Sequence, residues 1–483
     1  LALHAYAGSA ERMLRLLRRQ LRLYWARPKV RPWALIGPIL LLLICLPLLR
    51  PLRHPDNLSD DEAVRLETVR SIVETGGLSI EPMNVPASAQ VVRVDDRVYA
   101  DQPPVLAILL AGPYWLMRWM GITFQKNPVL VPYLLTVIGA TLPVAASAGL
   151  LYRMNRLFEL PRPWRAGLAV LTVLASGLVS YAVVLNPHAP AAVLVLCAAG
   201  CLIHVVQSQR PARCGGWLVL AGLSAATAIT FDPAAIVLAA LLALVILAIR
   251  FRPSLRIAGV LLFVIGMVPP IVLHLVAAVP TGNLVPQSVH EDLSMRPRMP
   301  SLVISPGDGD DDEMAAPSAW LLVGKYVNRV WSALVGSHGI LSHFPLVIFS
   351  LSGIFAVMHR NWPGSTKMLA IATGLGALVI VLGYCASQVQ WRDAMFGSRW
   401  FIVFLPLLTY WIGAWVRREH SRITWCIAGA TALFSVTVSL IGATNPYPRE
   451  GFDRYTAAGA LMDLVQPRHA TTQGDRVASL GMR

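Results

Sequence analysis

The chain has 483 residues, of which 55% are hydrophobic and only 14% charged, and its mean hydropathy is +0.58. Soluble domains carry roughly 25% charged residues, so this balance excludes an ordinary cytosolic enzyme. The net charge of +15 does not call for a nucleic-acid partner, because the basic residues lie between long uncharged apolar runs. Several runs are long enough to cross a hydrocarbon core of about 30 Å as helices.

In chain order, residues 1–32 form a basic amphipathic segment with the core ERMLRLLRRQLRLYWARPKVR. Its basic region is longer than a signal peptide allows and no A-x-A site follows Leu49, so a cytoplasmic signal anchor is expected, with arginines on anionic lipid. Eleven runs free of Asp, Glu, Lys and Arg are then predicted to span: 33–49, 129–152, 166–185, 189–206, 217–230, 234–249, 257–279, 344–358, 368–386, 400–416 and 423–442. The short pair 217–230 and 234–249 is kept apart by Phe231-Asp232-Pro233, which no straight helix passes through. The predicted fold class is therefore an all-α polytopic membrane protein. Its membrane domain covers 33–442, with large outer loops at 50–128 and 280–343 and a partly disordered outer tail at 443–483.

Charge fixes the orientation. With the N-terminus in the cytoplasm, the inner segments hold 22 Lys and Arg against three acids, and the longer outer segments hold 19 against 23. Every inner loop is basic, as the positive-inside rule requires. This also assigns residues 104–122, PVLAILLAGPYWLMRWMGI. If they crossed, all downstream basic loops would move outside, so they are expected to lie along the outer surface, with Trp115 and Trp119 at headgroup depth. No cysteine falls in an outer loop, so no disulfide framework is expected. Cys197 and Cys201, one turn apart in a span, read as small packing residues rather than metal ligands.

Spans without charge place the chemistry at the outer face. The first outer loop begins HPDNLSDDEAVRLETVRSIVETGG. Ser59 as N-cap, Glu62 three residues on, and Asp60 and Asp61 at the positive end of the dipole predict a capped helix, ended by Gly76-Gly77. A surface helix cap explains that spacing. The same carboxylates also lie about ten residues beyond a membrane exit, where one can take a proton from a hydroxyl nucleophile while basic groups hold a phosphate leaving group.

With its first span, acidic outer-loop motif and Pro-Pro stretch, the chain resembles the polyprenyl-phosphate-dependent glycosyltransferases of the GT-C fold. These include protein O-mannosyltransferases and lipid A aminoarabinose transferases. Further segments carry the resemblance: Tyr99-Ala-Asp-Gln-Pro-Pro104 before an aromatic apolar run, Ser180 to Pro190 around His188, Gly336 to Pro345, and Phe396-Gly-Ser-Arg399-Trp-Phe followed by Leu-Pro-Leu-Leu. Together they run from about residue 30 to 440. The resemblance implies a GT-C-like fold and transfer of a sugar from a polyprenyl-phosphate donor to a hydroxyl acceptor, with inversion, at the outer face of a bacterial inner membrane. It gives Asp61 or Asp60 the acidic-motif role, activating the acceptor directly or orienting it through a divalent cation. Arg399 would face the donor phosphate, where a planar fork suits bidentate contact.

One departure stands out. Many relatives have Lys before Pro-Pro, and this chain has Gln102, which brings no charge. Compensation from Arg97, Arg399 or a divalent cation is expected. His188 and Asp232, in successive outer turns, are candidate substrate-binding residues, although turn chemistry alone accounts for Asp232 and a structural hydrogen bond for His188. The acidic run Gly307–Glu313 lacks the spacing of a calcium loop, and His338 and His343 lack that of a helical metal pair. The sequence leaves the sugar and acceptor open. It also leaves open a non-catalytic envelope scaffold and a lipid-linked sugar flippase, though a flippase would normally place ionisable groups at midplane.

Overall fold

The computed structural model describes residues 32–54, 57–81, 86, 91–94, 97–208, 214–249, 253–280, 319–336, 339–386, 396–397, 399–444 and 446. The basic segment before residue 32, the acidic run 307–313, His338 and the tail beyond 446 lie outside them.

Helix α1 (Trp33–Leu52) buries one stripe, Gly37, Leu41, Cys45 and Leu49. That spacing of four places them on a single face, while Ile39 and Leu43 on other faces stay exposed. Helix α2 (Asp60–Glu74) starts at the expected capping box, with Ser59 Oγ accepting from the Glu62 N–H and Glu62 Oε2 accepting from the Ser59 N–H. A small antiparallel sheet follows, ordered β1-β3-β2: β1 (Ser79–Ile80), β2 (Val91–Val94) and β3 (Arg97–Ala100). It adds strands to a fold expected to be wholly helical, and Val64, Ile80 and Val98 form its contact with α2. Helix α3 (Val105–Trp119) is the segment predicted to lie along the surface. It buries Tyr114 and leaves Trp115 and Trp119 exposed, and Arg118 is tied back to the Val73 carbonyl at 2.7 Å.

A continuous 29-residue run, Leu130–Phe158, contains α4 (Leu130–Thr136), a π-helical turn (Val137–Thr141) and α5 (Leu142–Met154). The segment 166–185 is not the single span expected. Helix α6 (Arg162–Leu174) stops, Gly177 takes the left-handed region at φ +74°, and a 3-10 turn (Leu178–Tyr181) follows. The whole stretch from Ala175 to Asn186 is buried, and a backbone enclosed by protein can leave the helix even in a membrane domain. Helix α7 (His188–Gln207) is largely buried at the centre of the bundle. Helices α8 (Gly215–Phe231) and α9 (Ala235–Leu247) pack against it, and α10 (Pro253–Ala278) packs chiefly against α8. Helices α8 and α10 touch backbone to backbone: a Cβ on Gly222 would fall 1.8 Å from the Phe263 carbonyl oxygen, and one on Gly266 2.1 Å from that of Val219.

Next come α11 (Ala319–Leu334), the one-turn α12 (Ile340–His343), α13 (Val347–His359) and α14 (Gly364–Ala386). The predicted span 344–358 thus begins with a turn and becomes helical at Val347. The predicted span 400–416 is also broken, into a 3-10 turn (Arg399–Phe401), α15 (Leu405–Tyr410) and α16 (Ile412–Val416), all closely packed. Helix α17 (Arg422–Thr444) closes the described chain. Among the described residues, six helices are long and apolar enough to cross a membrane, and five shorter apolar helices accompany them. The molecule is a polytopic helical membrane protein.

Candidate active site

Two consecutive carboxylates on α2 are put to different uses. Glu62 turns inward, where Arg53 meets it through Nη1 at 2.6 Å and Nη2 at 3.3 Å, both side chains having no exposed surface. Arg53 Nη1 also donates to Thr136 Oγ1, and Glu62 Oε1 accepts from the Leu185 N–H at 2.5 Å. Arg65 completes the clamp by donating to the Leu185 carbonyl. This buried network joins α2 to α4 and to the broken stretch that leads into His188.

With Glu62 pinned inward, Asp61 swings to the neighbouring face, since successive helix residues are about 100° apart. There its Oδ2 meets Arg399 Nη1 at 3.1 Å, and its Oδ1 and carbonyl oxygen both lie 3.2 Å from Gln102 Nε2. Asp61 and Arg399 come together across 338 positions of sequence. The Arg399 guanidinium lies over Trp400, with Cζ 4.7 Å from the ring centroid. On the same indole the His188 ring packs edge-on at 5.2 Å, and Tyr384 at 5.4 Å.

His188 opens α7, and its Nδ1 is 2.8 Å from Asp232 Oδ2. Asn186 fixes the approach by accepting from the Ala189 N–H and donating to the Tyr181 carbonyl. Asp232 follows the end of α8, and its other oxygen accepts from the Ala234 N–H, the turn contact expected before Pro233. Both members of the pair are buried.

Five of the seven candidate residues are therefore linked: Asp61, Gln102 and Arg399 directly, and His188 and Asp232 through Trp400. Asp60, in the first turn of α2, has no contact with the cluster among the described residues. Arg97, expected to compensate for Gln102, opens β3 with an exposed side chain and does not join it. Strand alternation explains this, since burying Val98 turns Arg97 to the other face. Two buried polar atoms beside the cluster, Gln102 Oε1 and Trp400 Nε1, have no partner among the described residues. One is an acceptor and the other a donor, and buried polar atoms left without a protein partner ordinarily bond to water or ligand. Among the described residues no three His, Cys, Asp or Glu side chains are grouped to hold a metal ion.

Sequence reasoning overlooked Arg53, Arg65, Trp400 and the second role of Glu62. Arg53, just beyond a span and nine residues before Glu62, was the available signal. An arginine at that depth needs a partner.

No family model matches the chain, and no curated protein does. Its structure is similar to crystal structures of ArnT from Cupriavidus metallidurans. The apo state is 15% identical over 81% of this chain and 61% of that one, with a TM-score of 0.47. The form bound to undecaprenyl phosphate is 15% identical over 89% and 75%, with a TM-score of 0.48. It is also similar to the apo oligosaccharyltransferase of Archaeoglobus fulgidus, 10% identical over 94% and 60%, with a TM-score of 0.46. The chain thus spans about three fifths of the ArnT chain in the apo state and of the oligosaccharyltransferase.

Proposed function

We propose that this protein is a membrane glycosyltransferase of the GT-C type. It moves a sugar from a polyprenyl-phosphate donor to a hydroxyl acceptor at the extracytoplasmic face, with inversion at the anomeric carbon. The observation that carries the proposal is the meeting of Asp61, Gln102 and Arg399, three motif residues far apart in sequence, with unpartnered Gln102 Oε1 and Trp400 Nε1 beside them.

The chemistry follows from the charges. The donor phosphate takes the Arg399 guanidinium, whose planar fork suits two phosphate oxygens. That contact draws Arg399 from Asp61 and leaves Asp61 to accept the proton of the acceptor hydroxyl. The hydroxyl oxygen attacks the anomeric carbon from the side opposite the phosphate. As that bond forms, the carbon–oxygen bond to phosphate breaks, and the phosphate leaves with the electron pair. Arg399 and the Trp400 N–H stabilise the charge that develops on it. Gln102 adds no charge and holds Asp61 in line. His188, backed by Asp232, lines the remaining side against the sugar.

Sugar turnover from a labelled polyprenyl-phosphate-sugar pool in membranes tests this reading. Wild-type protein is expected to transfer sugar and folded Asp61→Asn to lose at least about a hundredfold. Equal turnover in both would reduce Asp61 to a helix-start residue. No turnover in the wild type across several sugars would favour a scaffold. The orientation is tested separately: a cysteine at Ser79 is expected to react with an impermeant reagent from outside, and one at Ser254 is not.

A further inference from the structure

The end of the bundle remote from Asp61 carries a recess that the transfer chemistry does not use. Helix α7 begins at His188 and ends at Gln207, so its 20 residues put about 30 Å between the two ends. Gln207 lines a cavity of about 520 Å³ there. Four guanidiniums also line it: Arg156 from the turn after α5, Arg360 from the loop after α13, and Arg417 and Arg418 from the end of α16. Among the described residues Glu159 is the only acid in the lining, and it is already engaged, 2.6 Å from Arg417 Nη2. Arg417 is held further by Trp362, with Cζ 5.0 Å from the ring centroid. Arg156, Arg360 and Arg418 have no acidic partner among the described residues.

The cavity has a second feature besides charge. The 23-residue helix α14 starts at its wall, after Trp362 and Pro363. The Thr366 and Lys367 N–H groups already donate to the Pro363 carbonyl, so what this helix start adds at the cavity is the positive end of its dipole, which favours an anion. Thr366, in that turn, lines the cavity, is 1% exposed and has a hydroxyl with no partner among the described residues. Arg156, Arg360 and Arg418 are exposed, but they come from three separate loops onto one hollow, which also holds a buried hydroxyl donor with no partner among the described residues.

From this arrangement we infer a binding site for a phosphate anion, with Arg156, Arg360 and Arg418 as its cations, the start of α14 at Pro363 in its wall and Thr366 as its hydroxyl donor. The ligand class is a phosphate ester or inorganic phosphate, and an anionic phospholipid headgroup and a soluble phosphate share that chemistry. The inference is independent of the proposed transferase activity.

The test uses the full chain purified in detergent. Native mass spectrometry compares retention of phosphatidylglycerol with phosphatidylcholine, and a parallel titration adds inorganic phosphate as competitor. Two double variants are compared with wild type: Arg360→Gln/Arg418→Gln, which empties the cavity of two cations, and Arg153→Gln/Arg422→Gln, which removes two exposed cations from the same end outside the lining. A preference for phosphatidylglycerol of about tenfold, lost only in the first variant and unaffected by millimolar phosphate, assigns the site to a lipid headgroup. Phosphate binding that competes with lipid and is lost only in the first variant assigns it to a soluble phosphate. Thr366→Val is expected to weaken either by about threefold without altering the unfolding midpoint. Binding of neither probe, or equal loss in the two double variants, would overturn the site and leave a diffuse basic surface.

Discussion

Asp61 and Glu62 are adjacent, each is paired with an arginine, and the two pairs behave as opposites. Arg53 and Glu62 are sealed, with no exposed side-chain surface. Thr136 and the Leu185 N–H take up much of their remaining hydrogen-bonding capacity. Asp61 is 38% exposed, its Arg399 15%, and unused polar atoms of Gln102 and Trp400 lie alongside. Removing one member of a sealed pair strands a charge away from water, so that pair is an anchor. An open pair exchanges partners at little cost, as a site must when a charged ligand arrives.

The largest expected effect lies on the sealed side. Glu62→Gln or Arg53→Met should cost about 3–5 kcal/mol of stability, seen as a lowered unfolding midpoint and poor yield. Joint replacement, Arg53→Met/Glu62→Leu, should recover most of it, because no unpaired charge remains; a double variant as unstable as the singles would show the clamp to be more than an ion pair. On the open side, Asp61→Asn should leave the unfolding midpoint within experimental error and lower transfer by at least about a hundredfold. Arg399→Lys is a milder change: the charge stays but the fork is lost, so the donor KM should rise by about tenfold with kcat less affected. Asp60→Asn should change turnover by no more than about threefold; a hundredfold loss there would move the base by one residue.

A smaller effect concerns pH and the far end of α2. Burial pushes the Glu74 carboxyl up, but hydrogen bonds from Tyr114 and Arg70 and the charges of Arg70 and Arg118 outweigh it and hold it below its ordinary value. The stability this provides is present at neutral pH and is lost as pH falls through the lowered value. The gap in unfolding midpoint between wild type and Glu74→Gln should therefore shrink between about pH 6 and pH 3. An unchanged gap would mean that Glu74 contributes through shape rather than charge.

The comparison also shows how much of this molecule was legible in its sequence. The capping box at Ser59 and Glu62 is local, and it stands where the spacing placed it. The choice between Asp60 and Asp61 is not local, because it depends on which way α2 is rotated, and Arg53 sets that from another helix end. Hydrophobicity located the apolar segments 166–185 and 400–416 but not their breaks. A buried segment stays apolar whether or not it is helical, and only the protein around it makes the break tolerable. The small sheet left a readable trace, since Val91-Val92-Arg93-Val94 and Arg97-Val98-Tyr99 flank Asp95-Asp96 as hairpin arms flank a turn. Recognising it would have placed Arg97 on the exposed face.

The π-helical turn at Val137–Thr141 has a geometric consequence of its own. Such a turn accommodates one residue more than an α-helical one, so it sets the angular offset between the halves of the 29-residue run that contains it. Thr136, just before it, reaches Arg53, while Gly139 within it passes so close to Leu185 that a Cβ would fall 2.9 Å from that side chain. Deleting one residue from this turn would let the helix wind evenly and rotate Leu130–Thr136 by about 100° relative to Leu142–Met154. Thr136 would then leave Arg53. A single surplus residue in the second long span thus acts as a phase shim, aiming a hydroxyl at the arginine that orients α2.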